Sequence, residues 1–146
     1  MPSPRSVRLD PDVDRRLRSY ADRHPGRSAS STVARLVDEG LRMEEFPGVV
    51  FIEGPVGRRA RLVGGPDVWE VVRAVRAARA AEPELDEAGL LDLVAQGSGV
   101  SVLRIRLALA YWAAYPDEVE AFLAYAEQVE ADALAASERA RDLLPG

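Results

Sequence analysis

The sequence predicts an α+β protein, mostly α, built as two domains over residues 1–46 and 47–146. Three observations predict it. A short alternating segment at Ser6 to Leu9 precedes two runs of helical period. A paired apolar and turn-rich pattern at 49–63 reads as a β-hairpin. Four further helix-period segments then follow, ending in a long heptad-like stretch after Pro116.

The alternation of Ser6, Val7, Arg8 and Leu9 puts Val7 and Leu9 on one strand face and Ser6 and Arg8 on the other. One strand of four residues cannot satisfy its own backbone or hide its apolar side. The first helix is expected from about Pro11 to His24, with Asp10 as cap, Pro11 at the first helical position, and Asp12 and Asp14 complementing the positive helix end. Its apolar stripe is Val13, Leu17, Tyr20 and Ala21, and His24-Pro25-Gly26 ends it. The second helix is expected from a Ser28 cap to Glu45, with Val33, Leu36, Val37 and Leu41 as its stripe. Gly40 inside it costs about 1 kcal/mol against Ala, which suggests close helix packing at a dimer axis. Phe46-Pro47-Gly48 marks the domain boundary.

Strand-like residues 49–53, a turn at 54–57 and a return strand at 58–63 give the hairpin, stopped by Gly64-Gly65. Helices are expected over 67–80, 86–96, 101–115 and 117–144. In the last, Val119, Phe122, Ala126, Val129, Ala133, Ala136, Ala140 and Leu143 recur in steps of three and four. The seam through Val129 is expected in core packing or self-association, and the end from about Leu134 is expected to meet a partner.

Composition bounds the function. The 146 residues are 47% apolar and 29% charged, a globular balance. The lack of cysteine excludes a disulfide framework and a thiolate zinc site, and fits a cytoplasmic location. Met-Pro-Ser-Pro at the start lacks the apolar segment of a signal peptide, and the apolar run at 107–114 is too short to span a bilayer, so no membrane partner is expected. Net charge is −5, but residues 1–35 hold eight Arg against four Asp, while residues 51–146 hold ten Arg against sixteen acids. Every basic residue is Arg, which reads as genomic base-composition bias. Two paired N-termini would double the local positive surplus, and the acidic remainder argues against nonspecific wrapping of nucleic acid.

Two copies of the Ser6–Leu9 strand, paired antiparallel, form a ribbon of the kind the major groove admits. Strand, capped helix, Gly-Arg-Ser turn and second helix over residues 6–45 resemble the ribbon-helix-helix family of the Arc and Met repressors. The resemblance implies a homodimer, or a higher oligomer, that reads double-stranded operator DNA. Ser6 and Arg8, flanked by Pro4 and Arg5, would face the bases, Arg8 by a forked contact to guanine. Arg27, Ser28, Ala29 and Ser30 match the turn that clamps the DNA backbone, where free amides at a helix start favour phosphate. Arg15, Arg16, Arg18 and Arg23 read as solvated helix-face charges. A third candidate is the pattern at 90–112, which resembles a helix-turn-helix with Arg104 and Arg106 on its second helix.

Residues 47–125 carry a second resemblance. Pro-Gly-Val-Val-Phe-Ile-x-Gly-Pro-x-Gly-Arg-Arg-Ala, Gly-Gly-Pro-Asp-Val-Trp-Glu-Val and Ala-Leu-Ala-Tyr-Trp-Ala-Ala-Tyr-Pro-Asp-Glu-Val look like a small domain of unknown function found in VapB-like antitoxins. That implies a type II antitoxin that represses its own operon and neutralises a small ribonuclease-type toxin, often of the PIN-domain class. Alternatives are a stand-alone regulator whose second domain sets oligomeric state or senses a ligand, and a pure assembly protein. No enzyme and no cofactor is expected: His24 stands alone, no Ser-His-acid set or metal cluster is present, and Gly54-x-x-Gly57 lacks the Lys-Ser/Thr of a phosphate loop. Trp69 and Trp112 are expected in the core, with anchoring of a partner as the alternative for either.

Overall fold

The computed structural model describes residues 3–146, and its fold is α+β and mostly helical. In chain order the elements are α1 (Pro11–Asp22), α2 (Ala29–Glu45), β1 (Val49–Gly54), β2 (Gly57–Leu62), α3 (Val68–Ala81), α4 (Glu87–Ser98), α5 (Val102–Ala114) and α6 (Pro116–Asp142). They form two compact units that divide between Leu41 and Arg42, inside α2. The last turn of α2 belongs to the second unit because its side chains bond there: Arg42 to Glu118 and Tyr111, and Glu45 to Tyr115.

In the first unit, residues 3–10 form no strand. A β-ladder needs a second strand, and no described residue of this chain supplies one to Ser6–Leu9. Asp10 is extended at the head of α1, and Pro11 takes the first helical position. The helix stops at Asp22, two residues short of the predicted His24, because the amides of Arg23 and His24 turn back tightly to the carbonyls of Tyr20 and Ala21. His24 donates from Nδ1 to the Tyr20 carbonyl at 2.8 Å and stacks on the Tyr20 ring, so it closes the helix end. Gly26 then takes a φ of +94°, a region L side chains rarely adopt.

The two predicted apolar stripes lie on these helices without forming a core. Leu17, Tyr20, Ala21 and Val33 are half-buried, whereas Val13, Leu36, Val37 and Leu41 are exposed. The buried side chains of α2 are Thr32 and Glu39. Arg35 ties the helices by donating to the Tyr20 hydroxyl at 2.6 Å and to Glu39 at 3.1 Å.

The second unit has one core. The hairpin pairs Val49 with Leu62 and closes with Gly54 opposite Gly57 across the two-residue turn Pro55-Val56. Its inward residues Val49, Ala60 and Leu62 meet Val68, Val71 and Val72 of α3, Leu91 and Val94 of α4, Ile105, Ala108 and Tyr111 of α5, and Val119 and Leu123 of α6. Trp69 and Trp112 sit at its margin, half-buried. Ser101 caps α5 by accepting from the Arg104 amide, Asp86 caps α4, and Gly99 at φ +73° ends α4 in the left-handed region.

Three polar groups enter this core together. The Tyr111 hydroxyl donates to Glu118 at 2.5 Å, and Arg42 donates to both carboxylate oxygens of Glu118 and to the Tyr111 hydroxyl, each at 2.9–3.0 Å. Burial, reinforced by the hydrogen bond to Glu118, pushes the Tyr111 phenol well above its ordinary range, so it stays a neutral donor. Tyr111→Phe removes that donor and leaves Arg42 and Glu118 paired. The expected loss is about 1 kcal/mol, read as a lower Tm in thermal denaturation with far-UV circular dichroism unchanged.

Candidate nucleic-acid interface

Residues 3–10 are exposed throughout, including Arg5, Ser6 and Arg8. Among the described residues Arg5 and Arg8 form no ion pair, whereas Arg15 and Arg18 pair with Asp12 and Asp14 on their own helix. That separates two groups of arginines within one unit. Arg15 and Arg18 are offset by acids of their own helix, whereas Arg5, Arg8 and, on α1, Arg16 have no ion pair among the described residues.

The other predicted contact lies at the start of α2. The Ser28 hydroxyl accepts the Ser31 amide at 3.0 Å, and the Ser28 carbonyl accepts the Thr32 amide at 3.0 Å. The helix is therefore capped at one of its first-turn amides, while the amides of Ala29 and Ser30 have no partner among the described residues. Ser30 and Arg27 are exposed beside them. Two free amides at a positive helix end, flanked by a guanidinium and a hydroxyl, suit a phosphate oxygen.

Between α1, α2 and the N-terminal segment lies an open apolar groove of about 750 Å³, lined by Leu9, Val13, Leu17, Tyr20, Val33 and Val37 among others. Leu9, on the strand face predicted to point inward, does line it. Val7, its companion on that face, is 68% exposed.

The helix-turn-helix pattern is also present: α4 and α5 meet at a bend of 105°. Its arginines are spent within the unit. The Arg104 guanidinium donates to the carbonyls of Val63 and Gly65 at 2.6 and 2.7 Å, and Arg106 pairs with Glu87 at 2.7 Å. Gly64 and Gly65 both hold positive φ, so the chain turns sharply there and presents two carbonyls to one cation. Sequence reasoning ranked Arg104 as a possible DNA contact because a hydrogen bond to a distant carbonyl leaves no local signature.

Elsewhere in the second unit, Asp67 was not singled out from the sequence. It is 6% exposed and accepts from Arg59 at 2.5 Å and from the Trp69 indole at 3.1 Å, while Glu70 accepts its amide. Asp67 fixes the hairpin to the start of α3. Among the described residues no group of three or more His, Asp or Glu side chains stands close enough to hold a metal ion, and no single helix is long and apolar enough to cross a membrane. The chain matches no known family model, curated protein or solved structure with which it was compared.

Arg104→Ala should act on stability. It leaves two carbonyls without their charged donor, and roughly 1.5–3 kcal/mol should be lost. Urea titration of the full chain followed by tryptophan fluorescence, which reports on Trp69 and Trp112, measures it. An unchanged midpoint would mean the contact contributes nothing to the fold.

Proposed function

We propose that this protein is a homodimeric, sequence-specific DNA-binding repressor of the ribbon-helix-helix type, and that it serves as the antitoxin of a type II pair that represses its own operon. One observation carries the DNA-binding half. Among its described residues the first unit buries no apolar side chain, although it carries two amphipathic helices and an alternating N-terminal segment. An apolar face of that extent needs a cover, and a second copy supplies one that also completes a strand ladder. Antiparallel pairing of Ser6–Leu9 turns Val7 and Leu9 onto the helices and leaves Ser6 and Arg8 of both copies outward. Arg8 then reads base edges, Arg5 supports it, and Arg27, Ser28, Ala29 and Ser30 hold the phosphates on either side.

The antitoxin half rests on the resemblance of residues 47–125 alone. Its partner would be a small ribonuclease-type toxin encoded beside it. Co-expression with the neighbouring gene tests this directly: a growth arrest relieved by this protein is the expected outcome, and a neighbour without toxicity sinks the assignment.

Three substitutions test the DNA-binding half. Arg8→Ala should leave a folded dimer and weaken binding to DNA from upstream of its own gene by roughly 1–3 kcal/mol, about five- to 150-fold in Kd. Unchanged affinity would remove Arg8 from the readout. Leu9→Asp would bury an unpaired charge at the ribbon, so dimer and DNA binding should be lost together. Gly40→Ala separates the environments of α2. A Cβ at Gly40 meets nothing within 4 Å in the single chain, so a lone chain should gain up to about 1 kcal/mol of helix stability. A dimer axis passing at Gly40 reverses the sign, and sedimentation should then show a looser dimer.

A further inference from the structure

The second unit carries a groove of about 580 Å³ whose apolar walls include Trp69 of α3, Val56 of the hairpin turn, and Phe122, Tyr125 and Val129 of α6, beside charged side chains of β2, α3 and α6. From the groove α6 runs on through residues 131–142, about 18 Å of helix at 1.5 Å per residue. Almost every side chain beyond Ala126 is exposed, and at the far end Leu143 and Leu144 are 87% and 70% exposed. One helix thus carries an unfilled groove with apolar walls at one end and two uncovered leucines at the other.

We propose that α6 pairs antiparallel with α6 of a second copy, so that Leu143 and Leu144 of each chain fill the groove beside Trp69 and Tyr125 of the other. The register follows from the heptad positions Ala126, Val129, Ala133, Ala136, Ala140 and Leu143. In an antiparallel pair these positions alternate across the seam. Setting Ala133 opposite Ala136 of the second copy sets Val129 opposite Ala140 and Ala126 opposite Leu143. Leu143 thereby arrives at Ala126, which lines the groove, with Leu144 next to it in the chain.

Charge selects the same direction. Glu127, Glu130 and Asp132 lie in the first half of the exposed stretch, and Arg139 and Arg141 in the second, together with Glu138 and Asp142 on the side away from the seam. Antiparallel pairing brings Asp132 against Arg139 of the second copy, twice by symmetry, and opposes the two helix dipoles. A parallel pair sets Leu143 on Leu143, leaves both grooves open and gives Asp132 no cation. The interface lies wholly in the second unit and does not depend on DNA binding.

The chain has no cysteine, so introduced thiols report alone. Val129→Cys and Ala140→Cys are made separately in the full chain, mixed, equilibrated and oxidised. The expected product is the mixed 129–140 disulfide, with each homodisulfide at least tenfold scarcer, since two copies of one position stand about 16 Å apart along an antiparallel pair. Adding Leu143→Asp and Leu144→Asp to both variants should cut that product at least tenfold while circular dichroism stays unchanged, as both side chains are exposed in the single chain. A 129–129 homodisulfide as the main product overturns the direction. No mixed disulfide, or one indifferent to the Asp pair, overturns the proposal. Loss of toxin neutralisation by the Asp pair, without any change in cross-linking, would assign the strip to a different protein and overturn it as well.

Discussion

The governing constraint is that two short amphipathic helices cannot enclose an apolar core by themselves. Each of α1 and α2 has one apolar stripe, and two stripes facing each other leave most of their width in water. The first unit answers with polar contacts: Arg35 bridges Tyr20 and Glu39, and Ser28 and His24 finish the facing helix ends. Such contacts fix geometry at little net gain, since each exchanges protein partners for water. Stability must come from apolar area covered by something else. The unpaired N-terminal segment and the open groove along Leu9, Val13 and Val37 express that one shortage.

The second unit solves the same problem internally. Six elements besides the end of α2 contribute to one core, and its polar intrusions are paired. The contrast is clearest in the arginines. In the second unit Arg42, Arg59 and Arg104 are turned inward onto carboxylates or carbonyls, where the planar guanidinium satisfies several acceptors at once. In the first, Arg5 and Arg8 have no such employment among the described residues. A count of basic residues per domain misses this difference, because it depends on which carbonyls and carboxylates the fold brings near.

Much of the architecture was legible in the sequence, for local reasons. Ser28, Asp86, Ser101 and Gly99 mark helix ends through their own chemistry, and the hairpin was readable because Gly54 and Gly57 bracket its turn. Element ends fell within a few residues of expectation. The misses are nonlocal. The stripe of α1 was expected to be buried, and Val13 is not, because periodicity identifies a face without saying what covers it. Asp67 escaped notice, and Arg104 was read as a candidate DNA contact, because their partners lie in other elements. For the candidate interface, the Ser28 cap was legible as a helix start, whereas the alternation of Ser6–Leu9 forms no strand in the single chain, because nothing among its described residues pairs with it.

The paired polar groups of the second unit tie its stability to pH. Arg76 and the Trp112 indole hold the Glu120 carboxylate below its ordinary range, so what this cluster adds to stability is present above the usual glutamate range and fades as acid protonates it. Toward alkali the Tyr111 phenol acts in the opposite sense: the fold raises it above its ordinary range, so its contribution is present below the usual phenol range and is lost as pH rises beyond it. With no lysine in the chain, no ammonium group among its side chains adds to that alkaline response. The unit therefore loosens from both sides, through Glu120 in acid and through Tyr111 in alkali, and holds best between the two ranges.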